Sequence, residues 1–257
     1  MSELGGSGRP GPRSEPLRRV GHKGADLIAP GNTFASFDAA LAAGVHMIEF
    51  DVLPEGADGT GELLLAHDYM AAARARPRPP TLQEGLAHLA GTTFADVELD
   101  VDLKLPGYEL RVLEALREHG LEDRALVSSQ YLRSLQLLRG AAPGLRLGWS
   151  VPRLKRDPLR SPFTAVPAFA MLQVYRRVLP RQAASAMRTL RLDALMAQWR
   201  LISGALVRAV HATGGHLYAW TVDDPAQILR LEALGVDGVI TNDPRLFDQR
   251  ISQTAAL

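Results

Sequence analysis

The 257-residue chain contains no cysteine. That excludes disulfides, thiolate nucleophiles and cysteine-bound zinc, and it leaves the redox character of the compartment open. No apolar run approaches the roughly 20 residues of a membrane-spanning helix. Neither sign of charge dominates: 29 Lys and Arg stand against 28 Asp and Glu, a net charge of +1. The chain therefore lacks the overall basic character of a nucleic-acid binder. Residues 1–15 are Gly, Pro, Ser and Arg without an apolar centre, unlike a secretory signal. Residues 1–16 are expected as a disordered lead-in, and the cytoplasm is the default location.

What the chain does have is apolar content, 46% of its residues, enough for a large core. Its length suits one (β/α) barrel or two small domains. Strand and helix patterns alternate along it. A short strand over 19–21 ends in a glycine turn at Gly21-His22-Lys23-Gly24. A helix over 34–43 follows, capped by Asn32 or Thr33, and Gly44 ends it. The strand 44–52 begins at once, which makes a βαβ unit with parallel strands. A turn-rich loop over 54–61 leads to a strand over 62–66, then His67-Asp68. Residues 69–80, with several Arg and Pro, read as a loop. Thr81-Leu82-Gln83-Glu84 fits a capping box for a helix reaching about Ala90.

The alternation continues through strands near 97–104, 124–128, 145–149, 193–198, 216–222 and 235–241. Helical stretches near 108–119, 131–140, 202–213 and 225–234 separate most of them, and Pro244 starts a last helix. About eight strand–helix repeats, with no linker to split them, predict a single-domain α/β fold over 17–257, a TIM (β/α)₈ barrel.

Two strands carry acids where a buried strand should not. Glu49 and Asp51 alternate onto one face of an otherwise apolar strand. Two like charges there call for a cation, a proton or a basic partner, unless the strand end emerges into solvent. In Val97-Glu98-Leu99-Asp100-Val101-Asp102-Leu103-Lys104 the alternation is strict. Its charged face would look into the barrel and make an acidic interior. Carboxylate oxygens suit Mg²⁺ or Ca²⁺.

Barrel chemistry gathers at the C-terminal ends of the strands. His22, Lys23, Glu49, Asp51, His67, Asp102, Lys104 and Trp220 all fall there. Two histidines with a divalent ion suit phosphoryl transfer, one taking a proton from a nucleophile and the other giving one to the leaving oxygen. His46 alternates away from Glu49. His88, His119, His211 and His216 lie on or just after helices and read as surface or capping residues.

Residues 151–192 are longer than one crossover helix requires. They hold nine Arg or Lys against a single acid, Asp157, with apolar residues interspersed. An outer helix with a basic face accounts for this. So does a peripheral segment that meets anionic lipid.

Several pieces together resemble a family. They are Gly21-His22-Lys23-Gly24, Gly31-Asn32-Thr33, Ile48-Glu49-Phe50-Asp51-Val52, His67-Asp68, Pro80-Thr81-Leu82, Asp102-Leu103-Lys104, Ala219-Trp220-Thr221-Val222 and the stretch 235–244. In this order, over nearly the whole chain, they are similar to the glycerophosphodiester phosphodiesterases. The resemblance implies a TIM barrel that hydrolyses glycerophosphodiesters to glycerol 3-phosphate and an alcohol. It implies His22 and His67 as the acid/base pair, and Glu49, Asp51 and Asp102 as ligands of Mg²⁺ or Ca²⁺. Lys23 would contact the phosphate, Lys104 would hold a phosphate or glycerol oxygen, and Trp220 would line the glycerol side. It also implies attack by the glycerol 2-hydroxyl and a cyclic phosphate that water opens. The chain departs from the family pattern in Lys23, where Arg is usual, in Asp102, where Glu is usual, and in a short segment after His67-Asp68. The last leaves the mouth open to a larger group such as a lysophospholipid, whose cleavage would make the protein a lysophospholipase D. A barrel that binds phospho-ligands or membrane without turnover is the alternative outside enzymology.

Overall fold

The structure, a computed structural model, describes residues 16–152 and 162–248. The expected lead-in falls almost wholly outside the described residues, as does 153–161 of the basic segment. Eight parallel strands form the core: β1 (Arg18–Gly21), β2 (Met47–Pro54), β4 (Glu98–Leu103), β5 (Ala125–Ser129), β6 (Arg146–Val151), β7 (Ala194–Gln198), β8 (His216–Trp220) and β9 (Gly238–Thr241). Because β1 pairs with both β2 and β9, the sheet closes on itself. This is the TIM barrel that the alternating pattern predicts.

Strand periodicity divides the side chains between two cores. Ile48, Phe50 and Val52 of β2, with Leu99, Val101 and Leu103 of β4, pack in one large cluster with helix residues Phe37, Leu86, Val112 and Leu116. Each such side chain contributes roughly 1.5–3 kcal/mol on burial. The opposite strand faces fill the lower barrel interior with Val20, Met47, Leu126, Ala194, Met196, Tyr218 and Ile240. At the floor, Glu98 is neutralised by Arg18 at 2.8 Å and Arg146 at 3.1 Å. Above the apolar plug the interior turns acidic.

The helices form where the sequence places their signals. Thr33 caps α1 (Phe34–Ala42) and Thr81 caps α3 (Leu82–Leu89), each in a reciprocal capping box. The outer layer continues with α4 (Glu109–Glu118), α5 (Leu132–Ala141), α6 (Pro162–Leu190), α7 (Gly204–His211) and α8 (Pro225–Leu234).

Two local expectations need correction. The strand expected over 62–66 is β3 (Leu63–Leu65). It pairs antiparallel with β2 as a hairpin arm and is not a stave of the barrel. Gly59 and Gly61, both at positive φ, let the intervening loop reverse the chain. The loop expected over 69–80 opens with a short helix, α2 (Tyr69–Arg74). There Asp68 caps the amide of Ala71, and a run of three alanines favours the helix.

Candidate active site

Register builds the site. On the paired strands β2 and β4, Glu49 lies opposite Asp100 and Asp51 opposite Asp102. Asp102 in turn lies opposite Ser128 on β5. Four carboxylates thus occupy two successive layers of one barrel quadrant, all of them buried. Oxygens of Glu49, Asp51 and Asp102 come within 4.8 Å of one another.

Lys104, just past β4, drops its ammonium between Asp51 and Asp102 and pairs with both. Burial opposes the charge of Lys104, but Asp102, Asp51 and Glu49 outweigh it and hold the ammonium well above its usual range. Burial likewise opposes ionisation of Asp51, yet Lys104, His67 and His22 hold that carboxyl well below the usual carboxylate range. Glu49 goes the other way: burial, then the Asp51 charge, push it well above its usual value. Asp100, deeper still, is pushed up to about 8, chiefly by burial. One ammonium does not balance this set.

Asn32 holds Asp51 in place. Its Nδ2 donates to Asp51 Oδ2 at 2.9 Å, and its Oδ1 accepts from the Asp51 amide at 3.0 Å. Thr33, not Asn32, is the helix cap. Asn32 sits at φ 59°, a left-handed conformation that asparagine tolerates, and this turns its side chain toward β2.

His22 follows β1 in a turn so tight that a Cβ on Gly21 would lie 2.1 Å from the Gly24 carbonyl oxygen. Its Nδ1 lies 2.5 Å from Asn242 Oδ1. The Asn242 amide is oriented in turn, donating through Nδ2 to Asp223 Oδ2 at 2.7 Å. The oxygen facing His22 accepts, so Nδ1 carries the proton and Nε2 keeps its lone pair. That Nε2 lies 3.9 Å from Glu49 Oε2. Burial lowers the His22 pKa, with Lys23 and Lys104 adding to it and Asp51 opposing.

His67 comes from the hairpin arm. Its ring is half exposed, with Nδ1 at 3.1 Å from Asp68 Oδ2. This leaves Nε2 for a ligand. A cavity of about 210 Å³ brings His22, Glu49, His67, Asp100, Asp102, Lys104 and Trp220 together with Ser128, Gln130 and Ser150. The indole nitrogen of Trp220 is buried there without a hydrogen-bond partner. A larger cavity, about 430 Å³, lies in the helical layer between Leu172, Trp199 and Leu231. It brings together no acid–base pair, so the chemistry belongs to the interior cavity.

Lys23 is the sequence-derived candidate that stands apart. Its ammonium turns to Asp26 at 3.2 Å, while its backbone amide donates to Glu49 Oε2 at 2.8 Å. The other histidines have structural partners. His88 pairs with Asp38, His119 with Gln83, and His211 with Asp237, while Nδ1 of His46 accepts from the Arg19 amide.

The profile of the glycerophosphoryl diester phosphodiesterase family matches residues 92–246. The chain belongs to this family. A glycerophosphodiester phosphodiesterase of Caldanaerobacter subterraneus is 24% identical over 255 residues, covering 88% of this chain and 93% of the relative. One from Bacillus altitudinis is 25% identical, covering 87% and 93%. Among solved structures, an Oleispira antarctica phosphodiesterase in complex with sn-glycerol-3-phosphate superposes with a TM-score of 0.68 at 20% identity, over 92% of this chain and 97% of that one. A glycerophosphodiester phosphodiesterase of Agrobacterium tumefaciens gives 0.67 at 20% identity, over 92% and 99%. These structures share the fold.

The residues that sequence reasoning missed are Asn242 and Asp223, which orient His22, and the second role of Asn32. Asn32 and Asn242 both lie within stretches that carry the family resemblance. Their function depends on partners 19 and 220 residues away, which no local pattern reveals.

Proposed function

We propose that this protein hydrolyses glycerophosphodiesters to glycerol 3-phosphate and an alcohol, with a divalent cation held by Glu49, Asp51 and Asp102. The observation that carries the proposal is the convergence of His22, His67, Lys104, Glu49 and Asp102 in one cavity at the barrel mouth, with buried Asp51 close enough to complete the carboxylate cluster. The donor set fits the ion: three buried carboxylates, only one ammonium to balance them, and a Glu49 whose pKa burial and the Asp51 charge raise well above its usual value. Bound there, Mg²⁺ or Ca²⁺ would supply positive charge for the phosphoryl oxygens.

The histidines divide the proton work. His22, neutral with Nε2 unprotonated, accepts the proton of the attacking hydroxyl. His67, on the exposed side, gives a proton through Nε2 to the leaving alcohol oxygen. Lys104 holds the phosphate or a glycerol oxygen, and the Trp220 indole N–H supplies a donor to the glycerol side. Lys23 meets the phosphate by exchanging its contact with Asp26. The cavity of about 210 Å³ is smaller than the roughly 300–1,000 Å³ of pockets that engulf drug-sized ligands. It suits the glycerophosphate part and leaves the alcohol group outside the mouth. The sn-glycerol-3-phosphate complex of the Oleispira antarctica relative supports this reading.

The test is release of glycerol 3-phosphate from glycerophosphocholine in EDTA, Mg²⁺ or Ca²⁺, alongside choline release from a lysophospholipid. Turnover of the diester should require the ion. His22→Ala and His67→Ala should each lower kcat by about 10²–10⁴-fold, with circular dichroism unchanged. Full turnover in EDTA removes the cation from the proposal, and full turnover of either variant removes the acid–base pair. Choline from the lysophospholipid alone reassigns the substrate class.

A further inference from the structure

The proposed chemistry occupies the half of the cavity built by β1, β2, β3 and β4. The other half, built from β5 round to β8, lines the cavity with Gln130, Ser150, Met196 and Trp220 and carries no charge. Of these, only Trp220 enters the proposed reaction. Strand parity shows how the two polar residues are aimed. On β5, Leu126 belongs to the barrel interior, and Ser128, two residues on, reaches toward Asp102. Gln130 has the same parity just past the strand, whereas the Ser129 hydroxyl turns the other way, to the Leu103 carbonyl. On β6, Leu147 and Val151 belong to the outer core. Gly148 faces the interior, since a Cβ there would lie 2.9 Å from a Leu126 methyl carbon, and Ser150 follows it on the same face. Asp102 pairs with Ser128, and Ser128 with Gly148. One step further along this register sets Lys104, Gln130 and Ser150 side by side across three strands.

Neither side chain is spent within the protein. Among the described residues, the Gln130 amide and the Ser150 hydroxyl make no hydrogen bond, although Ser150 is only 7% exposed. Its oxygen is nevertheless open to the cavity. Buried hydroxyls seldom go without a partner, so this one is left for a ligand or its water. The chemistry of the wall selects the ligand. A glutamine amide offers two donors and an acceptor, and a serine hydroxyl both donates and accepts. Neutral groups of this kind complement an alcohol hydroxyl. A phosphate finds positive charge at Lys104, on the border of the wall. A quaternary ammonium calls for a cage of aromatic rings, and among the described residues Trp220 is the only aromatic of the lining besides the histidines.

We propose that Gln130 and Ser150 are specificity-determining residues that hold the terminal hydroxyl of the glycerol group. With the phosphate at Lys104, that hydroxyl falls along the neutral wall. Met196, opposite Ser150 on β7, gives the glycerol carbons an apolar contact. The wall admits diesters in which the terminal hydroxyl is free and rejects those in which it is acylated. An ester there removes the donor and brings a chain against the buried Ser150. This assignment rests on the proposed hydrolysis and deepens it.

The experiment compares glycerophosphocholine with its 2-hydroxypropyl analogue, which keeps the attacking hydroxyl and lacks the terminal one. The wild type should favour glycerophosphocholine by about 10²-fold or more in kcat/KM, because the analogue leaves the wall unpartnered. Gln130→Leu/Ser150→Ala should bring the two substrates to within about tenfold, almost wholly through loss on glycerophosphocholine. Gln130→Leu alone, at the half-buried position, should narrow the ratio by itself if the double variant does not fold. A wild type without the preference, a ratio that the variants leave unchanged, or equal losses on both substrates would each overturn the proposal. If neither diester is turned over, the proposed reaction fails, and calorimetric binding of glycerol 3-phosphate against 2-hydroxypropyl phosphate reads the wall on its own. A wild-type preference that the variants lose sustains the wall, and equal affinities overturn it.

Discussion

Replacing Lys104 by methionine removes one charge from the centre of the site and keeps most of its volume. The ammonium bridges Asp51 and Asp102, and Asp51 is fully buried. Without the cation, Asp51 relieves its isolation by taking a proton. For a carboxyl with an unfolded pKa of about 3.9, that costs about 1.36 kcal/mol for each pH unit above this value. The loss is then about 4 kcal/mol at pH 7 and about 1.5 kcal/mol at pH 5. The first figure agrees with the roughly 3–5 kcal/mol found when a buried ion pair loses one partner. At about 2–4 °C per kcal/mol for a chain of this size, Tm should fall by about 8–16 °C at pH 7 and about 3–6 °C at pH 5. The sign follows from linkage. In the variant the folded pKa of Asp51 lies above the unfolded one, so stability is complete below about pH 4 and is lost as pH rises. Thermal unfolding followed by circular dichroism in EDTA at both pH values measures this. A deficit of equal size at pH 5 and pH 7 would refute the reasoning and make Lys104 a packing residue. Added Mg²⁺ or Ca²⁺ should narrow the gap, because the ion proposed for this site would neutralise the same carboxylates.

Three other outcomes follow from the geometry and electrostatics of the site. The acid limb of the pH–rate profile should fall below the ordinary histidine value of about 6.5, since burial lowers the His22 pKa and the proposed mechanism uses neutral His22 as the base. Asn242→Ala should lower kcat with little change in KM, because the tautomer is no longer fixed, and an unchanged kcat would dismiss the latch. Asp100→Asn should stabilise the metal-free protein at pH 9 relative to pH 5. The folded carboxyl, pushed up to about 8, contributes fully below the unfolded pKa and loses that contribution as pH rises through 8. A denaturation midpoint difference independent of pH would show that Asp100 is already ionised in the fold.

The strict alternation of residues 97–104 and the pairing of Glu49 with Asp51 on one strand face were legible in the sequence. A strand's two-residue period assigns faces without knowledge of partners. The Thr81–Glu84 capping box was legible for the same reason, since donor and acceptor lie three residues apart. The barrel followed from repetition of such local signals. The short helix α2 was not legible, because arginines and prolines just beyond it masked the alanine run that the Asp68 cap nucleates.

What only the tertiary structure decided is which charges meet. Closure of β1 onto β9 carries Asn242 to His22 and so chooses the nitrogen that holds the proton. The register of β2 on β4 sets Asp51 opposite Asp102, with Lys104 between them. The β1–α1 loop turns Lys23 aside to Asp26. The sequence determined the faces of its strands and the residue types at their ends, because these depend on local period and composition. The protonation states in the site depend on distances across strands that are far apart in the chain, and only the closed barrel sets those distances.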